Sequence, residues 1–280
     1  MKNLYFIISA AILVLGLNNT QGQVVGCGTK VTVGQIAFDK GLPILTALKS
    51  NLSLPLLNTE LSVTVYIIRD NDGLPGITNL AVENSIDKLN TAFLPINLRF
   101  KICNTIYVDN YQFNTVNKSA NGKDLLIQNY TPNTINLYFA SSVIDEGGSN
   151  VCGYTFMPSE LKDAIIISKD CISGNEIIHQ FGHFFNLYHT HETAFGKELV
   201  KDPNCNKTGD LCCDTPADPL ISGVNKCEYT GSSKDSKNDY YVPSTSNYMS
   251  FSNDECRCNF TNDQFNRIIY AVQHLKNHLW

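Results

Sequence analysis

The segment His179-Gln180-Phe181-Gly182-His183-Phe184-Phe185-Asn186-Leu187-Tyr188-His189 constrains this chain more than any other feature. Its first two histidines stand four apart, so on a helix both side chains leave one face within reach of a single ion. Neutral imidazole suits Zn2+, and a catalytic zinc commonly takes three protein ligands plus a water. A third ligand must come from beyond the helix, which requires a sharp turn after Phe185. Asn186 occupies that turn, and asparagine is the non-glycine residue that best tolerates the left-handed conformation. His189 is then brought to the metal. The rival reading is three unrelated histidines on a helix. With only six histidines in 280 residues, this spacing beside an asparagine favours a shared ion.

The N-terminus reads as an export signal. Lys2 precedes an apolar stretch from Leu4 to Leu17, and polar residues with small Thr20 and Gly22 follow. That pattern predicts a signal peptide over residues 1–22. A permanent membrane anchor is the alternative, but the stretch is short for a span. A lipoprotein is a second alternative, because Val24-Val25-Gly26-Cys27 loosely resembles a lipid-attachment box; six polar or small residues separate it from the apolar core. Ten cysteines agree with an oxidising compartment, where they persist as disulfides. Six of them crowd between Cys205 and Cys258, predicting a loop-rich, bridged region; a cysteine-only metal cluster is disfavoured by the lack of repeated C-x-x-C spacing. The net charge is -5 and no basic run occurs, so nucleic acid is excluded as a partner, and membrane contact beyond the signal peptide is not expected.

Periodicity outlines the fold. Residues 23–58 are weakly patterned and read as a prosegment, leaving 59–280 as the main domain. LSVTVYIIR (61–69) is rich in β-branched residues and predicts a strand. Val82, Ile86, Leu89 and Phe93 fall on one helix face. Ile96, Leu98, Phe100 and Ile102 alternate as in a half-buried strand, and 135–140 and 164–168 are further strand candidates. Strands interleaved with helices predict an α/β first half. A second helical pattern begins near Asn175. Residues 205–246 are dense in turn formers and cysteine, and a capping box at Thr261-Asn262-Asp263-Gln264 opens a final amphipathic helix.

The histidine segment resembles the metzincin motif HExxHxxGxxH, and more closely that of the pappalysin family, peptidases of the pregnancy-associated plasma protein-A type. Further stretches are similar to that family. GDLCCDTPADP (209–219) resembles its segment after the third histidine. NYMSFS (247–252) resembles its Met-turn, with Met249 beneath the metal. FTNDQFNRI (260–268) resembles the opening of its last helix. Cys27-Gly28-Thr29 resembles its prosegment motif, whose cysteine ligates zinc as a latency switch. The resemblance covers roughly residues 27–270. It implies a zinc endopeptidase of α/β (α+β) metzincin-like fold, with an upper α/β subdomain carrying the active-site helix. The lower subdomain would be irregular, disulfide-rich and closed by a helix, and a peptide cleft would lie between the two. It also implies one Zn2+ held by His179, His183 and His189. Calcium occurs in some relatives, without a location assigned here. Asn186 stands where the family has glycine.

Two departures bear on chemistry. In such peptidases the residue after the first histidine is a glutamate that takes a proton from the metal-bound water. Here it is Gln180, which hydrogen-bonds but carries no titratable proton. Phe251 stands where the family has a tyrosine whose hydroxyl holds the tetrahedral intermediate. The base is worth roughly 10²–10⁴ in rate and the hydroxyl roughly 10²–10³. Their joint loss predicts a pseudopeptidase that keeps its zinc site. Glu176, one turn before His179, and Glu192 are the candidate substitute bases, with a solvated or outer-sphere carboxylate the plainer role for Glu176. Cys27 is either a zinc-binding switch or a disulfide partner. Three functions follow: a secreted zinc-binding pseudopeptidase holding a peptide or protein in its cleft, a working zinc endopeptidase, or an extracellular protein with structural zinc.

Overall fold

Thr59–Ile68 (β1) is buried on both faces from Val63 onward, and its two faces define two cores. The computed structural model describes residues 26–42, 54–201, 205–221 and 227–280, so the signal peptide expected over 1–22 lies outside the described residues. A helix, Val33–Gly41 (α1), precedes β1. After β1 come Asn79–Ala92 (α2), Leu98–Val108 (β2), Thr115–Asn117 (β3), Gly122–Gln128 (α3) and Ile135–Ala140 (β4). Ser142–Ile144 (β5), Gly153–Thr155 (β6), Ala164–Ser168 (β7), Glu176–Phe184 (α4) and Asn262–Tyr270 (α5) complete the order.

Five strands form one sheet in the order β2-β1-β4-β7-β6, parallel except for the edge strand β6. Leu61, Val63, Val65 and Ile67 point to the side carrying α2, α4 and α5, together with Leu137, Phe139, Ile165 and Ile167. Tyr66 and Ile68 point the other way, with Tyr138, Ile166 and Tyr154, toward α3 and the small β3–β5 pair. A parallel sheet covered on both faces leaves no polar side to its strands, hence the near-continuous apolar runs. Phe100 of β2 meets Phe93 and Phe181 edge-on at 5.2 and 4.9 Å, so α4 is seated on the sheet through aromatic contacts.

Several expectations need correction. Ile96 lies in a tight turn, Leu94–Ile96, and the strand starts only at Leu98, because Asn97 takes a left-handed conformation between them. The weakly patterned stretch contains α1, whose one buried residue is the polar Gln35, so no apolar period announces it. Strands β3, β5 and β6 have three residues each, too short for a period of two to register. The described residues of the turn-rich region are irregular as expected, and Thr261 and Gln264 form the reciprocal capping box. Disulfides join Cys152 to Cys171, Cys205 to Cys213 and Cys227 to Cys256; Cys27 is not a disulfide partner, and Cys103, Cys212 and Cys258 are also free thiols. Cys152–Cys171 ties the start of β6 to the turn leading into α4, which fixes the sheet edge beside the histidine helix.

The C-terminus is anchored by a buried ion pair. Asp163 accepts from Lys276 Nζ at 2.8 Å and His278 Nε2 at 2.7 Å, and Lys276 is 2% exposed. Burial pushes the Asp163 carboxyl up, but Lys276 and His278 outweigh it and hold it below the usual aspartate range. Its folded value being depressed, the stabilisation is fully present above that range and is lost as pH falls from it through the lower folded value. Asp163→Asn is expected to cost about 3–5 kcal/mol in denaturant unfolding by stranding the lysine charge. Lys276→Met added to it should recover much of that loss, as a double-mutant cycle would show.

Candidate metal centre

α4 ends in a six-residue reversal that places the third histidine. Asn186 adopts φ 69°, its N–H reaches the His183 carbonyl at 2.9 Å, and the Leu187 N–H reaches the Gly182 carbonyl at 2.9 Å. This is the Schellman arrangement, which satisfies orphan carbonyls at a helix end and reverses the chain. Beneath the helix, a Cβ at Gly182 would collide with Met249 Sδ, so glycine lets the Met249 turn approach. The Met249 carbonyl in turn accepts from the Thr190 N–H at 3.2 Å, just beyond His189.

The three histidines converge. His179 Nδ1 lies 2.7 Å from the Tyr248 carbonyl and His183 Nδ1 lies 2.9 Å from the Leu187 carbonyl. Carbonyls only accept, so both Nδ1 atoms carry the proton and both Nε2 lone pairs face inward. His183 Nε2 stands 3.1 Å from His179 Nε2 and 3.0 Å from His189 Nε2. Cys27 Sγ stands 3.4 Å from His183 Nε2, and the four donor atoms lie within 4.8 Å of one another. Zinc–nitrogen bonds of about 2.05 Å and a zinc–sulfur bond of about 2.3 Å give tetrahedral edges of about 3.3 and 3.5 Å. The donor set and its spacing fit one such ion. Burial, with the neighbouring imidazoles, holds His179 and His189 well below the usual histidine range, and burial holds His183 down to about 4. Neutral imidazoles are the ligand form. Burial first, then Glu176, pushes the Cys27 thiol up to about 12, while hydrogen bonds from Thr29 and Gln180 oppose them. A cation among these donors would reverse that balance.

Gln180 is fully engaged. Its Oε1 accepts from Thr29 Oγ1 at 3.0 Å and Thr155 Oγ1 at 2.7 Å. Its Nε2 donates to Glu176 Oε1 at 2.6 Å and to Cys27 Sγ at 3.0 Å. Glu176 is buried rather than solvated, and that burial lifts its carboxyl to about 7 against the pull of Arg257. Glu192 is directed elsewhere, accepting from the Thr193 and Ala194 amides of its own loop. The Phe251 ring packs 4.6 Å from His189 and 6.2 Å from His179.

Residues 26–29 lie along the open edge of β6. The Cys152 N–H donates to the Gly26 carbonyl at 2.9 Å, the Gly28 N–H to the Gly153 carbonyl at 2.8 Å, and the Thr155 N–H to Thr29 Oγ1 at 2.9 Å. α1 then docks on the turn after α4. Gln35 Nε2 donates to Asn186 Oδ1 at 2.8 Å and Tyr188 OH at 2.9 Å, and Asn186 Nδ2 donates to Asp39 Oδ1 at 3.0 Å.

Sequence reasoning missed His191, Thr155 and α1. The His191 ring lies parallel to His189 at 4.9 Å and edge-on to Phe251 at 4.5 Å, and burial lowers it to about 4. A fourth histidine two residues past the third was its available signal. Thr155 had none, since only the sheet edge brings it to Gln180.

The sequence profile of the family described as pregnancy-associated plasma protein-A matches residues 119–273, more than half of the chain. The chain belongs to this family. Among curated relatives of this pappalysin, an extracellular metalloprotease of Sordaria macrospora is 24% identical over 296 residues, spanning 96% of this chain and 95% of its own. One of Arthroderma gypseum is 27% identical over 226 residues, spanning 76% and 72%. Mirolysin in complex with a small compound shares the fold with a TM-score of 0.58 at 17% identity, covering 81% of this chain and 96% of its own. A promirolysin mutant of Tannerella forsythia matches with a TM-score of 0.58 at 16% identity, covering 90% and 96%. The pappalysin fold thus has the mixed α/β architecture expected of a metzincin. Among the described residues no helix is long and apolar enough to cross a membrane.

Chelation is expected to lower the melting temperature, since an ion at 100 times its Kd adds about 2.7 kcal/mol. Gly182→Ala should also destabilise: helix propensity favours alanine by up to about 1 kcal/mol, but overpacking against Met249 costs about 1–3 kcal/mol. Scanning calorimetry with and without metal checks both.

Proposed function

We propose that this pappalysin is a secreted zinc-binding pseudopeptidase. Its signal peptide is placed at 1–22, its prosegment-like region at 23–58 and its peptidase-type domain at 59–280. His179, His183 and His189 are proposed as ligands, with Cys27 as the fourth donor in the state described. The inward sulfur favours that role for Cys27 over lipid attachment. Export is supported by the extracellular metalloproteases among its relatives.

The observation that carries the loss of catalysis is the Gln180 side chain: its amide hydrogens go to Glu176 and Cys27, and its oxygen accepts from Thr29 and shares the Thr155 hydroxyl with its own backbone carbonyl. When bound, zinc supplies a Lewis acid for a water or a peptide carbonyl. The chain must supply the proton acceptor, and Gln180 takes none. Glu176 has a carboxylate, yet its near oxygen is committed to the Gln180 amide, which stands between it and the Cys27 sulfur. Phe251 offers a ring without a hydroxyl to a developing oxyanion. The two losses, roughly 10²–10⁴ and 10²–10³, are not additive, and either removes most turnover. A peptide or protein ligand in the cleft would compete with residues 26–29 for the β6 edge.

The alternative is an active endopeptidase, as the names of the relatives describe. The deciding assay incubates zinc-loaded protein with a mixed protein substrate, with and without chelator, in a Cys27→Ala background that frees the site of sulfur. No chelator-sensitive cleavage is expected. Gln180→Glu with Phe251→Tyr should restore it, most fully with Glu176→Gln added, because a carboxylate at 180 would otherwise face Glu176. Chelator-sensitive cleavage by the chain with native Gln180 and Phe251 would sink the proposal.

A further inference from the structure

Gln180 and Asn186 have a second property in common: each hydrogen-bonds the N-terminal segment in a way the motif residue cannot. Gln180 Nε2 donates to Cys27 Sγ and its Oε1 accepts from Thr29 Oγ1. An ionised glutamate there has acceptors only and would set a carboxylate against both the sulfur and the Glu176 carboxylate. Asn186 accepts from Gln35 and donates to Asp39. A glycine there would keep the left-handed turn, since it adopts positive φ without cost, but would offer α1 no side chain.

We propose that Gln180 and Asn186 are positioning residues that clamp residues 26–42 over the metal ligands as a lasting part of the fold, holding Cys27 as the fourth ligand of a closed centre. The proposal rests on the zinc-site reading above and extends it to the fate of the N-terminal segment. The two clamps are separate. The first holds Cys27 and Thr29 at the β6 edge, where Thr155 hydroxyl also reaches the shared Gln180 oxygen at 2.7 Å. The second holds α1 on the turn that carries His189, where Arg267 braces the Asn186 carbonyl at 2.9 Å and lies 3.5 Å from Asp39. A four-ligand zinc with no open position is the pattern of structural sites, whereas catalytic sites keep one position for water. Hydrogen bonds to a metal-bound sulfur strengthen such a site from outside the ligand set. Gln180 therefore acts twice in the same geometry: it withholds a base from the site and supplies a donor to the sulfur that closes it.

The test uses the full secreted chain loaded with zinc, and follows alkylation of each free thiol by iodoacetamide with peptide-resolved mass spectrometry. Exposed Cys103 and Cys258 report the intrinsic reactivity of the reagent in the same sample. Zinc content is measured separately, and cobalt-substituted protein reports sulfur ligation through its thiolate-to-metal charge-transfer band. Cys27 is expected to react far more slowly than Cys103, with the cobalt band present. Gln180→Glu and Asn186→Gly should each speed Cys27 alkylation by roughly tenfold, the effect of about one lost hydrogen bond, with one zinc retained. Asn186→Gly keeps the turn, so it remains informative if Gln180→Glu folds poorly. Unchanged Cys27 protection in both variants with zinc retained overturns the clamp and leaves the zinc reading standing. Cys27 in the native chain reacting as fast as Cys103 with zinc bound overturns the plug itself. A chain that takes up no zinc removes the site reading, and the proposal falls with it.

Discussion

Three imidazole Nε2 atoms converge, that of His183 standing 3.0 Å from that of His189 and 3.1 Å from that of His179, and the rest of the structure is arranged around that juxtaposition. Two bare acceptors at such a distance repel each other, so the arrangement is stable only around a cation or where packing enforces it. Packing and backbone both contribute. Carbonyls of Tyr248 and Leu187 fix the tautomers of His179 and His183, and the reversal at Asn186 turns His189 back. A wholly buried helix seated on Phe100 keeps the first two histidines from moving apart. The low accessibility that holds these imidazoles neutral is thus a consequence of the scaffold, and neutrality is what a metal ligand requires.

The same burial explains why a glutamine at position 180 is stable here. A carboxylate between Glu176 and the Cys27 sulfur would face acceptors on both sides, whereas an amide donates to each. The network holds one buried carboxylate, that of Glu176, a helical turn before Gln180 and beside Arg257. Chemistry and stability pull in opposite directions at this position: an acid–base group needs an unsatisfied, titratable oxygen, and a buried network favours satisfaction of every atom. This chain has the satisfied version.

How much of this can be read from residues alone follows from the range of the interactions. Strand β1, helix α2 and the capping box of α5 are local patterns, in which apolar period or side-chain-to-backbone reach is set within a dozen residues. Helix α1 escapes notice because it buries Gln35 rather than an apolar stripe. The two-sided burial of β1 removes the alternation that a half-exposed strand displays, so its β-branched content is the signal that marks it. The pairing of Cys152 with Cys171, and the freedom of Cys27, depend on where chain reversals place sulfur atoms, which cysteine spacing does not encode.

The sequence by itself determined the spacing that makes the three histidines candidate ligands of one ion, the place of the reversal at Asn186, and the absence of a carboxylate at Gln180 and of a hydroxyl at Phe251. Those are properties of residue identity and helical spacing, and they hold wherever the helix lies. Only the tertiary structure decided what stands opposite them. It laid residues 26–29 on the β6 edge, set Thr155 against the Gln180 amide and joined α1 to Asn186. Most of these contacts join residues more than a hundred positions apart, or lie on strands too short to leave a pattern. Their partners are selected by the packing of sheet, helix and edge, and by the requirement that each buried polar group find one.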